Sequence, residues 1–166
     1  MTRVENNPQK ITQLMNELLC GMYFEGYKFD TSFTLRFGRN RLMSSSKLPA
    51  NIELYLLGDW WFYTEKEWHN RLSMLKSLEV IDLHEPLQAF ELTKLRWCGD
   101  SEISSVSLKN TILEIKFKND QELNISCEAV EGETWILIGK NFDLSENDKW
   151  SVICEGGEYF IYTSDN

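Results

Sequence analysis

TILEIKFKNDQELNISC, residues 111–127, indicates more about the fold than any other stretch of this 166-residue chain. Apolar and polar residues alternate over 113–117 and again over 123–127. Such alternation is typical of strands that bury one face. Asn119 and Asp120 stand between the two runs, and both residue types favour turns. The stretch therefore predicts two antiparallel strands joined by a tight turn.

Further strands are predicted toward the C-terminus. Residues 135–138 form a short apolar run, which indicates a buried strand. The runs 150–154 and 159–162 flank two glycines at 156–157, a pattern that predicts a two-residue hairpin turn. The second half is thus expected to be almost entirely strand. The alternation breaks down over 87–97, where a β-bulge is the interpretation.

The first half combines strands with a helix at its start. Alternation over 33–37 and 52–56 predicts two strands, and the apolar DWWFY (59–63) follows them. Before them, Asn7 and Pro8 provide a helix cap and a favourable first helical residue. An apolar stripe with helical spacing follows, formed by Ile11, Leu14, Met15, Leu18 and Leu19.

A second helix is predicted near residues 65–77. Thr64 and Glu67 have the spacing of a capping box, in which each side chain accepts from a free backbone amide of the other. One face of this helix then carries Trp68, Leu72 and Leu75. The fold class that follows is α+β: a mostly antiparallel β-sheet, either a sandwich or a strongly curved sheet, with two amphipathic helices.

A chain of this length is expected to form a single domain, residues 1–166. Within it, two halves are conceivable, 1–80 and 87–166, joined by the short connection EVIDLHEP at 79–86. The first half contains FTLRF, IELYL and DWWFY, and the second contains LEIKF, QELNI and ETWIL in the same order. Duplication and independent selection of strand-forming residues both explain this similarity.

The net charge of −9 is concentrated in the last third of the chain. Residues 1–119 contain 15 acidic and 15 basic side chains. Residues 120–166 contain 11 acidic side chains against Lys140 and Lys149 alone. Such a field repels nucleic acid and anionic lipid, and it attracts basic proteins. We therefore expect a basic protein partner, and neither nucleic acid nor a membrane.

No catalytic or cofactor-binding motif is recognisable in the sequence. The only histidines are His69, on the second predicted helix, and His84, which lies between Asp82 and Glu85. No nucleophile with a clear role stands near either, so the prediction is a protein that is not an enzyme and uses no cofactor.

Metal binding is not indicated either. The acidic residues of DLSEND (143–148) lack the spacing of a calcium loop and are more typical of a hydrated turn. The four cysteines lack zinc-site spacing and are interpreted as reduced, partly buried thiols: Cys20, Cys98, Cys127 and Cys154.

The expected location is the cytoplasm. The N-terminus has no apolar run behind its charge, as a secretory leader would have. No apolar stretch approaches the roughly 20 residues that span a bilayer.

The candidate site is an acidic surface for that basic partner. Two groups of carboxylates each precede a predicted strand that begins with tryptophan. If these strands pair, both acidic groups are expected to project from neighbouring ends of one sheet, with the tryptophans as anchors. The predicted partner-binding residues are Glu128, Glu131, Glu133, Trp135, Asp143, Glu146, Asp148 and Trp150.

In overall character the chain resembles the immunity proteins of bacterial contact-dependent growth-inhibition and polymorphic-toxin systems. The resemblance lies in the length, the pI of about 4.8 and Trp-bearing strand segments such as GDWWFY and GETWILI. It implies a small cytoplasmic protein that binds and neutralises one cognate toxin domain, commonly a basic nuclease. No binding residue is transferred by position, because no diagnostic motif is shared.

Three other functions stay open at this point. An enzyme would need His84 in a pocket with Asp82 or Glu85. A secretion chaperone would need an exposed apolar groove. A small-molecule-binding protein would need strands that enclose a cavity.

Overall fold

The computed structural model describes residues 2–40, 48–77, 91–129, 131–140 and 149–163. Within these ranges the chain forms three helices: α1 (Pro8–Leu19), α2 (Glu65–Ser77) and α3 (Leu92–Trp97). It also forms eleven strands: β1 (Thr2–Val4), β2 (Tyr23–Phe29), β3 (Phe33–Gly38), β4 (Asn51–Leu56), β5 (Trp60–Phe62), β6 (Ile103–Lys109), β7 (Ile112–Phe117), β8 (Glu122–Ser126), β9 (Glu133–Lys140), β10 (Lys149–Glu155) and β11 (Glu158–Thr163).

The strands form two antiparallel sheets. The first has seven strands in the order β1-β11-β10-β9-β4-β3-β2, and the second has four in the order β5-β8-β7-β6. The predicted α+β class with a mostly antiparallel sheet is therefore confirmed, and so are both predicted helices. Helix α3 was not predicted, because its six residues fall in the stretch interpreted as an irregular strand.

The local sequence signals act as expected. Asn7 caps α1, and its side chain accepts from the backbone of Gln9. At the start of α2, Glu67 accepts from the Thr64 amide at 3.0 Å, and Thr64 Oγ1 accepts from the Glu67 amide at 3.3 Å. Gly156 and Gly157 both have positive φ, as a two-residue hairpin turn of this kind requires.

Each sheet contains strands from both halves of the chain. Strands β2, β3 and β4 run back and forth in the seven-stranded sheet, after which the chain crosses and β5 joins the four-stranded sheet. Strands β6, β7 and β8 do the same in the four-stranded sheet, after which β9 joins the seven-stranded sheet. The two crossings are reciprocal, since β4 pairs with β9 and β8 pairs with β5.

The two sets of strands are equivalent in register as well as in order. The first strand of each set carries a register shift. In β2 the shift follows Phe24, which lies opposite Phe37; in β6 it follows Ile103, which lies opposite Phe117. The strands that cross also match: Trp135 lies opposite the last residue of β4, and Trp60 lies opposite Ile125 near the end of β8. The segments that looked similar in the sequence therefore occupy equivalent strands, with Trp60 and Trp135 in equivalent positions.

One hydrophobic core lies between the two sheets. It combines residues from both sheets with the apolar faces of α1 and α3. Trp60 and Trp135 are among its largest fully buried side chains. All four cysteines are free thiols; Cys20 is half-buried and the others are buried.

Helix α1 covers the outer edge of β6, the last strand of the four-stranded sheet. The Asn16 side chain accepts from the Val106 amide at 2.9 Å and donates to the Val106 carbonyl. Thr12 Oγ1 accepts from the Leu108 amide at 3.2 Å. A sheet edge normally leaves such groups unpaired, so α1 takes the place of a further strand.

Replacing Asn16 by alanine is expected to lower the free energy of unfolding by about 2 kcal/mol, because two backbone groups of Val106 lose their partner. Urea denaturation followed by tryptophan fluorescence measures this. Gln13→Ala is the matched control, since Gln13 is exposed on the same helix and bonds only to Glu17 within the described residues. Equal decreases in the free energy of unfolding for the two variants would contradict a role for Asn16 in stabilising the sheet edge.

Candidate interaction surface

Three glutamates stand side by side across neighbouring strands of the seven-stranded sheet. Glu155 of β10 lies opposite Glu133 of β9 on one side and opposite Glu158 of β11 on the other. Directly opposite residues in an antiparallel pair point to the same face, with Cβ atoms about 5 Å apart. We call Glu133, Glu155 and Glu158 the carboxylate row. All three are exposed.

Local backbone features create this row. The tight turn at Gly156 and Gly157 makes Glu155 and Glu158 direct neighbours. On the other side, the register of β9 and β10 shifts by one residue after Cys154, so that Thr134 is passed over and Glu133 pairs with Glu155. Thr134 is fully buried and donates to the Cys154 carbonyl at 3.3 Å. Without that shift, Glu133 would not lie opposite Glu155.

The row is not neutralised by basic side chains in the described part of the chain. Other carboxylates there have cationic partners: Glu114 lies 2.7 Å from Lys109, and Glu122 lies 3.0 Å from Lys116. None of the ion pairs found between described residues includes a member of the row. The row is therefore a concentrated patch of negative charge that faces solvent.

Two further glutamates extend the patch, and a cleft lies beside it. Glu128 and Glu131 are exposed in the segment that leads into β9, and Glu128 accepts from Thr111 Oγ1 at 3.0 Å. The cleft has a volume of about 490 Å³. It is lined by Thr111, Cys127, Glu128, Ala129, Gly156 and Gly157.

The structure describes three of the six acidic residues of the predicted site, which stays a prediction. Glu128, Glu131 and Glu133 lie at one end of the β9–β10 hairpin and are exposed. Three other predicted members fall outside the described residues: Asp143, Glu146 and Asp148.

The prediction of two neighbouring acidic groups required β9 and β10 to begin at the same end of the sheet, and they do not. Strands β9 and β10 are antiparallel, so Glu133 pairs with Glu155, whereas Lys140 pairs with Lys149 at the far end of the hairpin.

Trp135 is not a surface anchor, which corrects the prediction. It is 0% exposed, and its indole Nε1 donates to the sulfur of Cys127 at 3.3 Å. Trp150 is half-buried, and its ring lies directly over Gly139, where a Cβ atom would meet it at 2.0 Å. Both tryptophans therefore pack within the sheet, Trp135 toward the core and Trp150 across a neighbouring strand.

Sequence reasoning missed Glu155 and Glu158, although a signal for them was present. The Gly-Gly turn at 156–157 was recognised, and these two glutamates flank it directly. What the sequence could not provide was the register of β9 against β10, which brings Glu133 to the same place.

The residues considered for catalysis are described only in part. His69 is exposed on α2, while His84, Asp82 and Glu85 fall outside the described residues. Among the residues that the structure describes, no group of three or more His, Cys, Asp or Glu is placed to hold a metal ion. None of the described helices is long and apolar enough to cross a membrane.

Comparisons of the chain with protein-family models, with curated proteins and with solved structures found no match.

Proposed function

We propose that this protein is an inhibitor of the immunity-protein kind, which binds a basic protein partner, a cognate toxin domain, through the acidic patch at one end of the β9–β10–β11 sheet. The observation that carries the proposal is the carboxylate row, Glu133, Glu155 and Glu158, on three adjacent strands without a cationic partner among the described residues.

Such a row is unfavourable for the isolated protein. Like charges directly opposite on neighbouring strands repel each other and destabilise the sheet. A basic partner would relieve this repulsion on binding, and this relief would contribute to the affinity of the complex. The residues proposed for binding are Glu128, Glu131, Glu133, Glu155 and Glu158.

A nuclease-type toxin fits this surface by charge. The substrate cleft of such an enzyme is positively charged because it binds phosphates, and an acidic surface can occupy it in place of nucleic acid. The row would act mainly on the rate of encounter, since charge complementarity speeds association and selects the partner. The corresponding location is the cytoplasm, where an inhibitor of this kind meets its toxin.

We predict that the variant Glu133→Lys/Glu155→Lys/Glu158→Lys associates with the captured partner at least about tenfold more slowly than wild type at low salt. The protein is used as bait in lysate of its source cells. A basic protein bound at near-stoichiometric yield is then purified, and association rates are measured by surface plasmon resonance from low to high salt. The purified partner should lose its own activity when the wild-type protein is added.

The matched control is Glu17→Lys/Asp30→Lys/Asp100→Lys. These residues are also exposed, and their reversal changes the net charge by the same amount at other places on the surface. Equal slowing by both variants would mean that only overall charge matters, and a partner that keeps its activity when bound would exclude the inhibitor role.

A further inference from the structure

Two buried thiols lie together at the point where the two sheets meet. Cys127 follows β8 of the four-stranded sheet, and Cys154 belongs to β10 of the seven-stranded sheet. The Cys154 thiol donates to the carbonyl oxygen of Cys127 at 3.8 Å. Both are free and 0% exposed.

The sulfur of Cys127 accepts a hydrogen bond inside the core. The indole Nε1 of Trp135 donates to it at 3.3 Å, and the Trp135 ring lies 6.1 Å from the ring of Tyr159. A neutral thiol is a weak acceptor, whereas a thiolate accepts strongly. A buried sulfur that accepts from the indole N–H of Trp135 is therefore in an environment that favours the charged form.

The acidity of the two thiols is shifted in opposite directions. The neighbouring Cys154 is the largest influence on Cys127 and lowers its pKa, with Trp135 and Tyr159 acting in the same direction against the effect of burial. The neighbouring Cys127, together with burial, raises the pKa of Cys154. Cys127 is thus the thiol that loses its proton first.

Cys127 also forms part of the wall of the 490 Å³ cleft beside the carboxylate row. Since none of its surface is exposed in the resting structure, a reagent that reaches Cys127 must be small. Hydrogen peroxide is of that size and reacts with thiolates rather than thiols.

We propose that Cys127 and Cys154 form a peroxide-reactive dithiol, in which Cys127 is the nucleophile and Cys154 the resolving thiol. The Cys127 thiolate attacks one oxygen of hydrogen peroxide; the O–O bond breaks, and sulfenic acid and hydroxide form. The sulfur of Cys154 then attacks the sulfenic sulfur, the S–S bond forms, and the hydroxyl group leaves with the thiol proton as water. Two electrons pass from the two thiols to the peroxide, which becomes two molecules of water.

The experiment treats the folded, full-length protein with hydrogen peroxide, stops the reaction with catalase and alkylates the remaining thiols after denaturation. Peptide mass mapping then shows whether each cysteine was alkylated, oxidised or joined in a disulfide. We expect a Cys127–Cys154 disulfide that forms at least about tenfold faster than any oxidation of Cys98. Cys98 is the internal control, because it is equally buried while burial raises its pKa to about 12.

Two variants test the assigned roles. In Cys154→Ser, dimedone should trap a sulfenic acid at Cys127, because no resolving thiol remains. In Trp135→Phe, which removes one donor and keeps most of the volume, the reaction of Cys127 should shift to higher pH. Oxidation of Cys127 and Cys98 at equal rates, or no dimedone adduct in Cys154→Ser, would overturn the proposal, since either result means that the pair is an ordinary part of the core.

Discussion

Trp135→Ala is expected to lower the free energy of unfolding by about 3–5 kcal/mol, the range typical of truncating a large buried aromatic side chain. The indole is fully buried, its ring lies 6.1 Å from that of Tyr159, and its N–H is bonded to Cys127. Alanine would leave a cavity at the centre of the core and remove that hydrogen bond. Chemical denaturation monitored by circular dichroism measures the loss.

The equivalence of the two halves extends this prediction to Trp60. It is 1% exposed and packs edge-on against Phe33 with ring centroids 5.2 Å apart. Trp60→Ala should therefore lower the free energy of unfolding by a similar amount. The control is Trp97→Ala, which removes an indole that is 57% exposed and should change stability by no more than about 0.5 kcal/mol. Similar losses at Trp97 and Trp135 would contradict the described core.

The second large effect is expected at Glu91, just before α3. Its side chain is 0% exposed, forms an ion pair with Arg71 of α2 and accepts from the Phe62 amide of β5 at 3.3 Å. Glu91→Ala should lower the free energy of unfolding by about 3–5 kcal/mol, because it leaves a partly buried guanidinium without its counter-charge.

Two comparisons separate charge from hydrogen bonding at this position. Glu91→Gln keeps an acceptor for the Phe62 amide and should be less damaging than Glu91→Ala. Glu122→Ala removes the half-exposed partner of Lys116 and should have a much smaller effect, since ion pairs in contact with solvent contribute little. If Glu91→Ala is as mild as Glu122→Ala in the same denaturation experiment, the ion pair does not hold α2 against α3.

Residues with strong local preferences were predictable from the sequence. Asn7, the Thr64–Glu67 box and the two glycines at 156–157 act through neighbours within a few residues, and all three form the structures expected of them. The alternation over 113–117 and 123–127 likewise became β7 and β8. In each of these cases the deciding interaction is local.

Other elements depended on distant contacts and were missed. Strands β2 and β6 each contain a register shift that interrupts the period-two alternation, so neither has a clear sequence signature. Helix α3 is only six residues long, and its Leu95 is buried in the core rather than aligned with a long apolar stripe.

The candidate site was predictable in composition but not in geometry. An acidic excess after residue 120 is visible in the sequence, and Glu133 was selected from it. The partners of Glu133 depend on the antiparallel register of β9 and β10 and on the residue passed over at Thr134. Neither can be derived from hydrophobic alternation alone, which also does not distinguish a core tryptophan such as Trp135 from an exposed one.

The reciprocal crossing of the two halves has a consequence for synthesis of the chain. Strand β5 ends at Phe62, but its partner β8 begins at Glu122; β4 ends at Leu56, but its partner β9 begins at Glu133. A ribosome that adds about 5–20 residues per second leaves β5 without its partner and one edge of β4 unpaired for roughly 3–15 s. During that time Trp60 and the apolar side chains of β4 are not yet covered, so we expect the nascent first half to be prone to aggregation until the second half emerges.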